Sequence, residues 1–150
     1  MKKLKLTNWF VAAHNSHIEQ PKEWIPAIVP GAVQLDFAQH QNISSVFYGE
    51  NWQQFRWMED AFFTYKTNFS APKTGVQQEA VYLIITGVDY KYEIYLNEHK
   101  ILSDEGLYQR HQFDISDYLQ EENTLQIVIL PIPKSLPSPD NKNQADQTTK

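Results

Sequence analysis

The sequence predicts an all-β domain, a sandwich of jelly-roll type with a few short helical turns. Three observations carry this. Apolar residues alternate with period two in four separate runs, turn-forming residues interrupt those runs, and the few helical patterns are short. The chain has 150 residues, room for one domain. Its residues are 41% apolar and 13% aromatic, enough for one core packed largely by rings.

Along the chain, "GAVQLDFAQHQ" (31–41) suits a short helix. So does "NWQQFRW" (51–57), where Asn51 is placed to cap and Gln54 follows three residues on. In "FFTYKTNF" the residues Phe63, Tyr65, Thr67 and Phe69 share a face, and "APKTG" (71–75) turns the chain. Val81, Leu83 and Ile85 alternate in "EAVYLIIT", which "GVD" (87–89) ends with a kink. Tyr90, Tyr92, Ile94 and Leu96 alternate in "YKYEIYL", and "NEHK" (97–100) reads as a tight hairpin leading to Ile101 and Leu102. "DISDYL" (114–119) is one helical turn, Asn123 is placed in a connecting turn, and Leu125, Ile127 and Ile129 alternate in the last run. From Pro131 onward come four prolines, that residue included, and a polar run, so the domain is expected over 1–134, with a polar, disordered tail or linker over 135–150.

Composition excludes several functions. The net charge is −5 and the basic residues are scattered, so no nucleic-acid surface is expected. There is no cysteine, hence no disulfide framework and no thiolate metal site. "MKKLKLTNWF" lacks the apolar stretch of a complete signal peptide, and "VYLII" and "IVIL" are far too short to span a bilayer. A soluble chain without a membrane partner is the expectation.

The candidate chemistry is sparse. Glycoside cleavage needs two carboxylates roughly 5–10 Å apart across the scissile bond. Glu59 and Asp60 are adjacent, and at the start of a strand they would face opposite ways. Asp89, Asp104 and Glu105 lie near strand ends and read as loop acids that meet cations or cap turns. His14 and His17, with His40, His99 and His111 elsewhere, read as exposed loop histidines, so neither metal nor cofactor is expected. The sequons at Asn42 and Asn68 read as accidental. Trp9, Trp24, Trp52 and Trp57 are assigned to the core or to a seam with a neighbouring domain. The rival is a sugar-stacking platform built from Trp24, Trp52, Trp57 and Tyr108.

The order of the motifs "VPG", "FYGEN", "RWMED", "GVDY" and "IYLN" resembles the start of family 2 glycoside hydrolases, with the beta-mannosidase branch most similar. The resemblance covers about residues 4–133. It implies a galactose-binding-like jelly roll, followed in such enzymes by an immunoglobulin-like sandwich and a TIM barrel that carries both catalytic glutamates. None of that barrel is in this sequence, so no catalytic residue is assigned. The "GWDWGP"-type motif of the mannosidase branch is absent as well, and the last strands of the jelly roll are expected to be missing with it, leaving a bare edge. The implied role is a non-catalytic domain that buttresses the barrel and shapes the substrate cleft. Trp52, Arg56, Trp57, Glu59 and Asp60 are its candidate substrate-binding or seam residues, with Arg56 pairing to Glu59 or Asp60. The implied partners are the downstream domains and a manno-oligosaccharide. A stand-alone carbohydrate-binding module and a truncated interaction domain are the alternatives.

Overall fold

A computed structural model describes residues 3–17, 19, 21–43, 45–72 and 80–131. The proposed boundary at 134 and the tail lie outside the described residues, as does most of the 71–75 turn. Eight strands form two layers. They are β1 (Trp9–His14), β2 (Ile25–Ala27), β3 (Phe62–Ser70), β4 (Tyr82–Ile85), β5 (Lys91–Leu96), β6 (His99–Glu105), β7 (His111–Asp114) and β8 (Glu122–Ile129). One sheet has the order β2-β1-β3-β8-β5-β6, and the other contains β4 and β7 alone. Every pairing is antiparallel.

The alternation read from sequence becomes one apolar face through the strand register. Val11 lies opposite Tyr65, Tyr65 opposite Ile127, and Ile127 opposite Ile94. Phe63, Ile129 and Tyr92 form the next row on that face, and Thr67, Leu125 and Leu96 the row beyond. Tyr92, Ile94, Leu96 and Val11 have no solvent exposure. The hairpin between β5 and β6 turns on Asn97 and Glu98, both at positive φ (50° and 71°), as a two-residue type I′ turn requires.

The second layer is split. Over the β1–β3 end lies the helix α1 (Val33–His40), followed by a nine-residue 3₁₀ helix, Asn51–Glu59. Phe37 of α1 meets Phe63 edge-on at 6.0 Å between ring centres, and the Tyr65 hydroxyl donates to Asp36 Oδ2 at 3.5 Å. Over the β5–β6 end lies β7, where His111 Nε2 is 2.8 Å from the Tyr92 hydroxyl and 3.3 Å from Asp104 Oδ2. That bond puts β7 outermost and β4 toward the middle of the layer.

Several expectations need correction. β1, β2 and β7 do not show in the periodicity. In β1 both Val11 and its neighbour Ala12 are fully buried, so no alternation survives. β2 is three residues long and contains Pro26, and β7 alternates only among polar residues and one Phe. Tyr90 precedes β5 and is exposed, and Asn123 sits inside β8 rather than in a turn. Asn51 is not the cap of its helix. Glu50 holds that place without a side-chain bond, while Asn51 Nδ2 donates to the Ser45 carbonyl at 2.7 Å. Glu59 and Asp60 end the 3₁₀ helix instead of opening a strand, so the argument from opposite strand faces does not apply to them.

Asn123 is the polar pin of the layer's lower end, at 2% exposure. Its Oδ1 accepts from the Gln120 N–H and from Asn97 Nδ2, both at 2.8 Å, and its Nδ2 donates to the Gln120 carbonyl at 2.8 Å and to that of Phe69 at 3.3 Å. Asn123→Ala leaves these buried groups unpaired. Urea unfolding should show a loss of about 1–3 kcal/mol, whereas Asn68→Ala, on the exposed face of β3, should cost well under that.

Candidate functional site

Between α1 and β4 the second layer leaves a trough of about 1940 Å³. Its floor is the inner face of β3 and β8, with Phe63, Tyr65, Leu125, Ile127 and Ile129. One wall is β4 together with both its flanks, every residue from Ala80 to Tyr90. The other wall runs from Ile28 to Leu35 and continues through Phe47, Trp52, Phe55, Arg56, Met58 and Glu59. The floor is closed to solvent (Leu125 is 1% exposed), and the open space lies above it between apolar rims. Ile28, Leu35, Phe47, Trp52 and Tyr82 are all exposed along those rims. Exposed apolar residues gathered along one trough make it the candidate face for a partner or ligand. A drug-sized ligand fills roughly 300–1,000 Å³, so the trough exceeds what one sugar ring would occupy.

The Ile28–Leu35 wall is held by two local devices. Asp36 is buried, and its Oδ1 accepts from the Ile28 N–H at 3.0 Å. Burial raises its carboxyl above the usual Asp range, and the bonds from Ile28 and Tyr65 oppose that rise. Gly31 has no room for a side chain, since a Cβ there would collide with the Ile28 carbonyl oxygen.

The five residues singled out in the sequence divide. Trp52, Arg56 and Glu59 line the trough. Trp57 does not; its ring packs edge-on against Phe37 (5.5 Å) and tilted against Phe63 (6.0 Å). Asp60 caps the 3₁₀ helix, its N–H turned to the carbonyls of Met58 and Trp57. Neither Arg56 nor Asp60 is without a partner. The four rings of the stacking platform are also separated. Lys66 Nζ sits 3.9 Å above the ring of Trp24, and Tyr108 lies outside the trough lining, as does Trp57. Only Trp52 of the four presents a ring to the trough.

The opposite face of the large sheet carries a polar cluster that the sequence reading missed. Glu93 is 9% exposed and accepts from Lys100 Nζ at 2.8 Å, from the Tyr95 hydroxyl, and from His17 Nε2 at 2.7 Å. Burial alone would push this carboxyl up, but the bonds from Lys100, Tyr95 and His17 outweigh it and bring it down to about 2. A carboxylate so held is a structural anion, not a proton donor. The histidine expectation is also corrected. His14 is a buried strand residue with Nε2 2.9 Å from Thr64 Oγ1 and Nδ1 2.8 Å from the Ser16 carbonyl, and His111 belongs to β7. Asp104 and Glu105 are taken up by His111 and by Lys91 (3.8 Å). Among the described residues no group of three or more His, Asp or Glu converges as metal ligands.

Comparison with known proteins accounts for the architecture. The family described as "glycosyl hydrolase 2 galactose-binding domain-like" matches residues 9–148. The chain belongs to this family. It is 32% identical over 120 residues to a beta-mannosidase of Rattus norvegicus, a match covering 80% of this chain and 13% of the relative. It is 28% identical over 117 residues to a mannosylglycoprotein endo-beta-mannosidase of Lilium longiflorum, covering 76% of this chain and 12% of that protein. The crystal structure of a beta-D-mannosidase from Dictyoglomus thermophilum superposes with a TM-score of 0.73 at 31% identity, over 84% of this chain and 15% of that one. An exo-chitosanase of Amycolatopsis orientalis shares the fold at a TM-score of 0.71 and 19% identity, over 89% of this chain and 17% of that one. This galactose-binding-like domain therefore spans about an eighth of the length of its mannosidase relatives. None of its described helices is long and apolar enough to cross a membrane.

The Glu93 cluster sets an acid limit on stability. Because the folded carboxyl titrates below the unfolded one, its contribution is present above pH 4.5 and is lost as pH falls from 4.5 toward about 2. Denaturant unfolding measured across that window should show stability falling, and Glu93→Gln should flatten the fall while lowering stability at pH 7 by about 1–3 kcal/mol.

Proposed function

We propose that this chain is the non-catalytic N-terminal domain of a beta-mannosidase-like family 2 glycoside hydrolase. In that setting it buttresses the catalytic barrel and shapes one wall of the substrate cleft. The observation that carries the reading is the trough. It is a large apolar surface continuous with the core, rimmed by Trp52, Arg56 and Glu59, on a domain whose mannosidase relatives are several times longer. The downstream partners under this reading are an immunoglobulin-like sandwich and a TIM barrel, with a manno-oligosaccharide as the substrate of the whole enzyme. Trp52, Arg56 and Glu59 then belong to the seam, while Trp57 and Asp60 support it from behind.

The carboxylates agree with a non-catalytic role. Glu93 is bound by three donors, Asp104 meets His111, Glu105 faces Lys91, and Asp36 is spent on the Ile28 wall. None of these four lines the trough; of the two acids that do, Glu59 and Asp89, each stands on a separate wall.

Two measurements on the 150-residue chain test this. Incubation with p-nitrophenyl β-D-mannopyranoside should give no hydrolysis above the uncatalysed rate. Calorimetric titration with mannobiose and mannotriose should show no saturable binding at about millimolar or tighter, a threshold of about −4 kcal/mol. Saturable binding abolished by Trp52→Ala in a folded protein would instead make the domain a carbohydrate-binding module. Trp57→Ala should lower stability by about 1–3 kcal/mol through its lost contacts with Phe37 and Phe63.

A further inference from the structure

We infer that the outer face of the six-stranded sheet, the one turned away from the trough, binds an extended neutral polysaccharide. This site lies beyond the domain reading and uses none of the seam residues. The register lines up one outward residue from every strand. Pro26 lies opposite Phe10, Phe10 opposite Lys66, Lys66 opposite Gln126, Gln126 opposite Tyr95, and Tyr95 opposite Lys100. Residues directly opposite one another share a face. Val11, Tyr65, Ile127 and Ile94, the chain neighbours of Phe10, Lys66, Gln126 and Tyr95, are buried in the core, so the row itself points outward. It crosses all six strands in five steps, about 24 Å. Pro26, Phe10 and Lys100 are exposed, and Lys66, Gln126 and Tyr95 are half-buried.

Three aromatic rings stand along this row. Phe10 is 42% exposed on β1. Trp24, two residues before Pro26 and in phase with it, lies at Lys66, whose Nζ is 3.9 Å from the centre of its ring. Tyr95 stands on β5 with Lys100 Nζ 5.4 Å from its ring centre, and both side chains bond to Glu93. Phe10 and Tyr95 are three inter-strand steps apart, about 14 Å, with Lys66 and Trp24 between them. The Glu93 bonds and the Lys66 contact hold the Tyr95 and Trp24 rings in place before any ligand arrives.

The chemistry of the occupant follows. Rings set along a line, with the Gln126 amide and two ammonium groups among them, suit a ligand that is apolar on its faces and polar at its edges. A chain of pyranose rings has that character. A protein surface fits less well, because interface centres are depleted of lysine and Lys66 stands near the middle of this row. Of the six residues only Phe10 is a large exposed hydrophobic, so there is no contiguous apolar patch. Lys100 is paired with Glu93 and Lys66 rests on Trp24, so the ligand needs no charge of its own. A straight row selects an extended β-linked chain over a coiled α-linked one. A di- or trisaccharide covers only part of the row, so a polymer can be held where short saccharides are not.

The test is affinity electrophoresis of the full 150-residue chain in gels carrying galactomannan, hydroxyethyl cellulose or amylose. The two β-linked polymers should retard the chain and amylose should not. Phe10→Ala should raise the apparent dissociation constant by about tenfold, the scale of one well-placed ring, while Trp52→Ala should leave it unchanged. Phe10 is outside the core, so its removal is expected to leave the fold intact. If that variant does not fold, titration of the unaltered chain with mannohexaose decides, because the Trp24 indole N–H resonance must then move while that of Trp52 stays. Retardation indifferent to Phe10→Ala, or equal retardation by amylose, would overturn the outer-face site. Loss of retardation in Trp52→Ala alone would overturn it by putting the sugar in the trough. Absence of retardation by any polymer would also overturn it and would leave the domain reading untouched.

Discussion

The antiparallel register that runs through β3, β8 and β5 is the constraint on which the rest of the domain depends. It sets Tyr65, Ile127 and Ile94 side by side, with Phe63, Ile129 and Tyr92 in the neighbouring row. Because side chains alternate with period two, a slip of one residue would move every one of these to the opposite face. That opposite face already holds Thr64, Lys66, Gln126 and the bonded carboxylate Glu93, which could not be buried in an apolar core without partners. The two faces fix the register together, one by attraction and the other by exclusion.

From that sheet the site follows by what covers it. α1 and the 3₁₀ helix are fastened to the β1–β3 end by Phe37 and Asp36, and β7 to the other end by His111. Each fastening is local, and no described segment joins the two parts of the second layer over β3 and β8. The trough is the space between them. Its Ile28–Leu35 wall owes its shape to the Asp36–Ile28 bond and to Gly31.

How much of this was legible in the sequence varies with the signal. Strands whose residues alternate cleanly were readable, as were the Asn97–Glu98 hairpin, the 114–119 helical turn and the helix at Val33–His40. β1 was not, because Ala12 is small enough to be buried on the face that should be polar. β7 was not, because its inward residue at one position is a histidine satisfied by a tyrosine from another sheet. In "NWQQFRWMED", read from sequence as a wall rather than a catalytic centre, Trp52, Arg56 and Glu59 line the trough. Trp57, assigned from sequence to the core or a seam, packs one side of its ring on Phe37 and Phe63 while staying 43% exposed. The Glu93 cluster joins residues from two strands and a loop, its His17–Glu93 bond spanning 76 positions, and no local pattern announces such a meeting.

The six-stranded sheet carries the core, and among the described residues β4 and β7 pair only with each other. Native-state hydrogen exchange on the chain alone measures this most directly. Amides of β3, β8 and β5 should exchange only through global unfolding, whereas those of β4 and β7 should exchange through a local opening at distinctly lower free energy. Equal protection of the two sheets would contradict this, because it would mean that the two-stranded layer is held as firmly as the core beneath it.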